Sequence, residues 1–372
     1  MKSTRLATPL LVTAAFAAAP GAVYATPSPE RVLIVVSGHG QSRGATRPGY
    51  DFEEFARAYT IFTAHGVAVD VASPRGGPVE TDEYDPKDEL QRAVLEDPAA
   101  SAKLARTLAG GEVEPDRYAA VFVVGGKGAM FDLPHASDIH SAIARIYDSG
   151  GVVSAVCHGP AALVNVKLSS GRFLVEGKTV NGFTNLEESL FGKRWAAEFE
   201  FMLEDRLRAR GGTFESGPFM LEHVATDGRL ITGQNPTSTD GVVEAVLRQL
   251  GRTPKPRSES PKTASLALIA RLLRDEAGAA GAYAKSPDRF HGPLIAMYGY
   301  SYAKVAEGAP ALRHALALME MVPEVKDKKQ IRLAVAEVYE KLGDRTTAKR
   351  VLEQLLAQAP EFEPAQEMLN RL

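Results

Sequence analysis

The 372-residue chain predicts an α/β sandwich built on a mainly parallel sheet, followed by a smaller all-α region. Three features carry this expectation. From residue 31 to about residue 252, short apolar runs alternate with segments of helical period. A proline-rich, charged stretch then breaks the pattern. Beyond it only helical periodicity remains, and it repeats at a spacing of 37 residues.

Residues 1–25 precede the pattern and read as a secretory signal peptide. Lys2 and Arg5 lead an apolar run over 6–19, and Ala22-Val23-Tyr24-Ala25 precedes a cleavage point after Ala25. Thr8, Pro9 and Thr13 interrupt the run, which argues against a membrane anchor. The expectation is an exported protein, periplasmic or secreted, with no membrane attachment after cleavage.

Residues 32–36 are the first strand. A glycine-rich loop over 37–50 leads into a helix over 51–65, with Phe55, Tyr59 and Phe62 at helical spacing and Gly66 as its stop. A strand over 67–72 completes one βαβ unit. After the turn cluster 73–78, a helix is expected over about 89–108. Residues 118–124 are continuously apolar, as a central strand requires, and end in Gly125-Gly126-Lys127-Gly128. A helix over 136–149 and a strand over 152–156 follow. That strand runs into Cys157-His158-Gly159-Pro160 and a helix over 161–164.

Further on, 173–179 reads as a hairpin turning at Glu176-Gly177-Lys178, 199–209 as an amphipathic helix, 230–234 as the last strand and 242–250 as the closing helix. The prolines and charges from Arg252 to Lys262 place a linker at 253–263, and 264–372 is the helical region. There Tyr302, Ala311, Leu318 and Pro323 recur as Tyr339, Ala348, Leu355 and Pro360, and the second copy resembles a tetratricopeptide repeat. Such a tail either binds a protein partner or simply buries its own faces.

Lys and Arg total 43 against 46 Asp and Glu, a formal charge of −3 that becomes −5 once Lys2 and Arg5 are removed. Without a basic excess, nucleic acid is not an expected partner. One cysteine in the whole chain cannot form an internal disulfide, so the thiol is either buried and inert or kept for chemistry. No two histidines have metal-ligand spacing, and the glycines near Gly125 do not form a dinucleotide or Walker fingerprint. Neither a metal nor another cofactor is expected.

The strand-to-turn-to-helix switch at Cys157 has the form of a nucleophile elbow, with small neighbours Ala155 and Gly159 leaving room for the turn. A helix starting behind it would aim N–H groups at the sulfur and favour thiolate. His39, in the loop after the first strand, is also at the expected site end of the sheet, although a lone loop histidine is more often simply solvated.

Residues 155–161, AVCHGPA, and 125–134, GGKGAMFDLP, together resemble the ThiJ/PfpI superfamily, in its branch of glyoxalase III-like enzymes and stress chaperones. Residues 181–188, NGFTNLEE, and 227–236, DGRLITGQNP, strengthen the resemblance, which covers about 31–252. It implies a flavodoxin-like sandwich, a Cys157 nucleophile, His158 beside it, an early glutamate at Glu54 that shares a proton with the thiol, and a third acid at Glu188. Glu53 and Glu187 remain as alternatives for the two carboxylates. The loop Gly126, Lys127 and Gly128 would form the oxyanion and substrate side.

The implied reaction adds the thiolate to the aldehyde of a small reactive carbonyl, a 2-oxoaldehyde such as methylglyoxal. A proton then moves between adjacent carbons before hydrolysis to a 2-hydroxy acid, without cofactor. The branch usually carries histidine where this chain has Lys127, and a lysine cannot relay protons near neutrality as imidazole does. The superfamily commonly dimerises. Alternative readings are a holding chaperone, a redox sensor using Cys157, or a cysteine hydrolase or peptidase on the same fold.

Overall fold

The structure, a computed structural model, describes residues 30–372 apart from residues 83, 193 and 327. The segment over 1–25, expected to be a signal peptide, lies outside the described residues. The first half of the chain builds β1 (Arg31–Val35), β2 (Ala68–Ser73), β3 (Arg75–Gly77), β4 (Thr107–Ala109), β5 (Ala120–Val123) and β6 (Val152–Val156). After these come β7 (Thr179–Val180), β8 (Thr213–Phe214), β9 (Val224–Asp227) and β10 (Leu230–Gly233). Eight strands form one sheet in the order β3-β4-β2-β1-β5-β6-β10-β9, while β7 and β8 form a separate parallel pair. All inner pairings are parallel, and only the edge strands β3 and β9 run antiparallel. The order β2-β1-β5-β6-β10 is that of a doubly wound, flavodoxin-like sheet.

The strands form because their residues are apolar on both faces. Every residue of β5 and β6 is buried, as is all of β1 after Arg31, which suits a sheet covered on both sides by helices. The helices of this part are α1 (Phe52–Ala64), α2 (Glu89–Glu96), α3 (Pro98–Ala105), α4 (Ala129–Asp132), α5 (Ser137–Asp148), α6 (Asn185–Phe191), α7 (Leu203–Ala209) and α8 (Thr239–Gln249). The chain winds from β1 out to β2 and then crosses back to β5. Ligand crevices in such sheets open at that reversal, outside the carboxyl ends of the strands.

Several elements differ from the sequence expectation, each for a local reason. The single helix expected over 89–108 is α2 and α3 followed by β4. Pro98 forces Asp97 into an extended conformation, and the Asp97 side chain caps the next helix by accepting from Ala99 N. The hairpin expected over 173–179 is absent. Gly177 does turn, at φ +72°, but β7 pairs with β8 thirty-odd residues away, and Phe173 makes only an isolated bridge to Lys167. The helix expected over 199–209 begins at Leu203, and β9, unforeseen, pairs with β10 across Gly228.

The expected linker is shorter than 253–263, because Pro261 starts a helix instead of breaking one. Ser260 caps it and Thr263 completes the capping box. From there the chain is helical: α9 (Pro261–Leu273), α10 (Ala279–Lys285), α11 (Gly292–Val305), α12 (Gly308–Glu320), α13 (Lys329–Lys341), α14 (Arg345–Gln358) and α15 (Glu363–Arg371). The 37-residue recurrence falls on matched helices. Tyr302 and Tyr339 lie in α11 and α13, and the Ala311/Leu318 and Ala348/Leu355 pairs lie in α12 and α14.

Candidate active site

Cys157 follows β6 with φ +59°, in the left-handed region. That conformation costs a non-glycine residue about 1–3 kcal/mol and persists only where its surroundings enforce it. Here the backbone is tied on both sides. Cys157 N donates to Gly233 O at 2.9 Å, and Phe183 N donates to Cys157 O at 2.8 Å. The end of β5 must be bare to admit the turn, since a Cβ on Gly125 would lie 2.7 Å from the Cβ of Cys157.

The helix expected behind the nucleophile is reduced to one 3₁₀ turn, Gly159–Ala162, with all four residues buried. Gly159 lies so close to β5 that a Cβ there would come within 2.4 Å of Val123 O. The segment threads through the core, and the single turn behind the nucleophile is too short to carry a helix dipole of useful size. Activation must come from side chains and individual N–H groups.

Those side chains are present. His158 Nδ1 lies 3.3 Å from Cys157 Sγ, and its Nε2 lies 2.7 Å from Glu188 Oε2. All three residues are buried. The His158 ring packs against Phe183 at a centroid distance of 4.5 Å and has Phe199 edge-on at 6.1 Å, which fixes its orientation. From the other side, Glu54 in the first turn of α1 is fully buried and accepts from Gly125 N at 2.7 Å through Oε2. Its Oε1 has no hydrogen-bond partner, and the carboxyl interacts electrostatically with the Cys157 thiol.

The structure separates each glutamate from its neighbour. Glu53 turns away to Arg57 and Lys262. Glu187 accepts from Thr184 N and Oγ1 through one oxygen, and from Met220 N, Gln234 Nε2 and Asn235 Nδ2 through the other, all between 2.8 and 3.1 Å. Only Glu188 reaches His158. Adjacent helical residues point about 100° apart, so one of each pair can face the sulfur while the other serves the scaffold.

Burial holds the Glu54 carboxyl well above the usual carboxylate range, and the nearby Asp51 charge adds to this, against the Gly125 N–H and the thiol. Asp51, the N-cap of α1, is itself raised to about 6, chiefly by burial. Burial also pushes the Cys157 thiol up, as do the charges of Glu54 and Asp51, while Gly126 N–H opposes. The site therefore accommodates at most one negative charge between Glu54 and Cys157. A Glu54 that keeps its proton donates to the sulfur and removes the main repulsion against thiolate.

Gly126 has φ +88°, and a Cβ there would lie 2.4 Å from Asp51 N, so the loop can pass only as glycine. Gly128 serves the scaffold by donating to Gly49 O at 2.9 Å. Lys127 is half-buried and forms no ion pair among the described residues. His39 stacks on Phe131 at 4.6 Å, and Phe131 meets Phe199 edge-on at 5.4 Å, giving an aromatic file that leads to His158. Burial, then Arg47 and Arg75, hold His39 below its usual pKa. His39 and Phe131, with Asp132, whose Oδ2 accepts from Gly38 N at 2.8 Å, border a cavity of about 430 Å³. Asp132 and Phe199 were not among the candidate site residues, because each acts through partners distant in the chain. Among the described residues, no group of three His, Cys, Asp or Glu side chains could hold a metal ion.

A family model, the DJ-1/PfpI family, matches residues 45–249. A glutathione-independent glyoxalase of Schizosaccharomyces pombe is 32% identical over 220 residues, covering 54% of this chain and 86% of the relative. The crystal structure of the 24 kDa rapid encystment protein of Francisella tularensis superposes with a TM-score of 0.56 at 30% identity, over 59% of this chain and 99% of that one. The crystal structure of glyoxalase III from Candida albicans gives a TM-score of 0.54 at 25% identity, over 59% and 97%. The α/β part of the molecule thus matches relatives over nearly their whole length while the helical tail lies outside the match, and the chain belongs to the DJ-1/PfpI family.

Proposed function

We propose that the protein is a cofactor-independent glyoxalase of the glyoxalase III type, converting a small 2-oxoaldehyde and water into a 2-hydroxy acid. The observation that carries this reading is the convergence of Glu54 and His158, backed by Glu188, on one strained, buried cysteine. The similarity to glutathione-independent glyoxalases supports it.

The arrangement of these side chains supports the following sequence of steps. His158, paired with Glu188, takes the thiol proton through Nδ1, and the resulting imidazolium is stabilised by the Glu188 carboxylate. Sγ bonds to the aldehyde carbon, and the aldehyde oxygen takes a proton from His158 or Glu54, which leaves that group free to act as base, to give a hemithioacetal. A base, His158 or Glu54, removes the hydrogen from that carbon, giving an enediolate, and a proton returns to the adjacent carbon. The product is a 2-hydroxyacyl thioester, formed without net oxidation. Water then cleaves the C–S bond, releasing the acid and restoring the thiol.

The exposed large apolar side chains among the described residues are Leu186 and Met297, on α6 and α11, fewer than the extended apolar surface of a holding chaperone calls for. The order of basic, apolar and small residues over 1–25 supports export, and N-terminal sequencing of protein recovered from the periplasm or medium tests it. The activity is tested by lactate release from methylglyoxal without glutathione. Wild type should release lactate, and Cys157→Ser and Glu54→Gln should each lose at least about 10²-fold in kcat. A reduced wild-type protein that releases none rules the reaction out.

A further inference from the structure

Each glutamate that faces the site has a glutamate neighbour, and both neighbours are tied to the helical tail. Glu53, beside Glu54, receives Lys262 Nζ at 2.6 and 2.8 Å, and Lys262 belongs to the first turn of α9. Glu53 also accepts from Arg57, which in turn reaches Asp240 of α8. Glu187, beside Glu188, accepts from the backbone N–H of Met220, a residue at φ +50°. The preceding carbonyl, Phe219 O, accepts from Tyr298 Oη of α11 at 2.6 Å.

Apolar packing runs the same way. The Phe219 ring stacks with Phe191 of α6 at 5.9 Å and meets Tyr298 edge-on at 6.0 Å. Phe219 and Leu221 share one core with Leu268, Ile269, Ile295 and Leu318 of the tail. The loop over 218–221 is thus a wedge between the tail and the helix that carries both Glu187 and Glu188.

We infer that the helical tail is a working part of the active site, with Lys262 and Tyr298 as positioning residues. Lys262 holds and neutralises the first turn of α1, where Glu54 meets Gly125. Tyr298 holds the 218–221 loop on which Glu187 is seated, so that α6 presents Glu188 to His158. The inference rests on the catalytic reading above. It has independent physical support: the Glu53 charge acts on Glu54 in the raising direction, and Lys262 and Arg57 are the cations set against it.

The test uses the full chain and the variants Lys262→Met, Lys262→Arg, Tyr298→Phe and Arg371→Ala. The last breaks the pair between Arg371 and Glu340 within the tail, away from these contacts. Two readouts are taken: the pH profile of Cys157 alkylation by iodoacetamide, and kcat and KM for lactate release. Lys262→Met should move the alkylation midpoint alkaline by about half a pH unit, and Lys262→Arg should restore it. Tyr298→Phe should lower kcat about fivefold with KM unchanged, and Arg371→Ala should match wild type. Lys262→Met and Tyr298→Phe profiles that overlay wild type overturn the inference, as does an equal loss in Arg371→Ala, which would mean general destabilisation. Should wild type release no lactate, the glyoxalase reading fails, and the alkylation profiles of Lys262→Met and Lys262→Arg still decide the inference.

Discussion

Neighbouring glutamates on α6 should fail in opposite ways when each is changed to glutamine. Glu187 is fully buried and takes five hydrogen bonds, three on Oε1 and two on Oε2. In Glu187→Gln the new amide can keep one oxygen toward Met220, Gln234 and Asn235, but its NH₂ then meets the Thr184 N–H head-on. The Thr184 hydroxyl can rotate to accept, whereas the N–H cannot. One buried donor left unpaired costs about 1–3 kcal/mol, and converting three charge-assisted bonds to neutral ones costs roughly 0.5 kcal/mol each. The sum is about 3 kcal/mol, equivalent to a fall of roughly 6–12 °C in the thermal midpoint of a domain this size.

Glu188→Gln differs in kind. Its amide oxygen can still accept from His158 Nε2, and the Oε1 it replaces has no partner in wild type. Stability should therefore change by less than about 1 kcal/mol. The negative charge that stabilises imidazolium is gone, however, and kcat should fall about 10²- to 10⁴-fold. Circular-dichroism melts and lactate release on the same two preparations decide it. A Glu187→Gln protein that melts with wild type, or a Glu188→Gln protein that retains full kcat, would refute the division of labour between scaffold and site.

Three further outcomes follow from the same geometry. Gly126→Ala places a methyl 2.4 Å from Asp51 N at φ +88°, so it should destabilise by about 3 kcal/mol and slow Cys157 alkylation, measured by melts and by thiol labelling. Asp132 is raised to about 6 in the folded protein, mainly by burial, so the folded state binds the extra proton and stability falls as pH rises from about 4 through 6. Asp132→Asn should flatten that limb in urea denaturation series, and a parallel slope in both proteins contradicts the assignment. Lys127 stands beside Gly126 without an ion pair among the described residues, so Lys127→Met should reduce the preference of Cys157 for iodoacetate over iodoacetamide about threefold; an unchanged ratio places the ammonium away from the sulfur.

Local pattern was enough for much of the fold. Strands such as 118–124 and 152–156 are apolar on both faces, and α1 carries its own start at Asp51 and stop at Gly66, so no distant partner was needed to recognise them. The elements that escaped are those made by partners far along the chain. β3, β4 and β7 are two or three residues long and exist only because another strand lies alongside. The helix expected behind Cys157 fails for a similar reason: Gly159 and the small residues after it are packed under β5, and tertiary crowding leaves room for one 3₁₀ turn.

The sequence by itself determined the position of the cysteine at the elbow, because an apolar strand running into Cys-His-Gly-Pro can be read locally, and the family resemblance it carries narrowed each carboxylate to a pair. Only the tertiary structure decided within the pairs. Glu53 and Glu54, like Glu187 and Glu188, are chemically identical and differ by one step of helical rotation. Which of each pair meets the sulfur's surroundings depends on where Gly125, His158, Met220 and Lys262 stand in space. Those groups come from strands, loops and a tail helix distant in sequence, and folding alone brings them together.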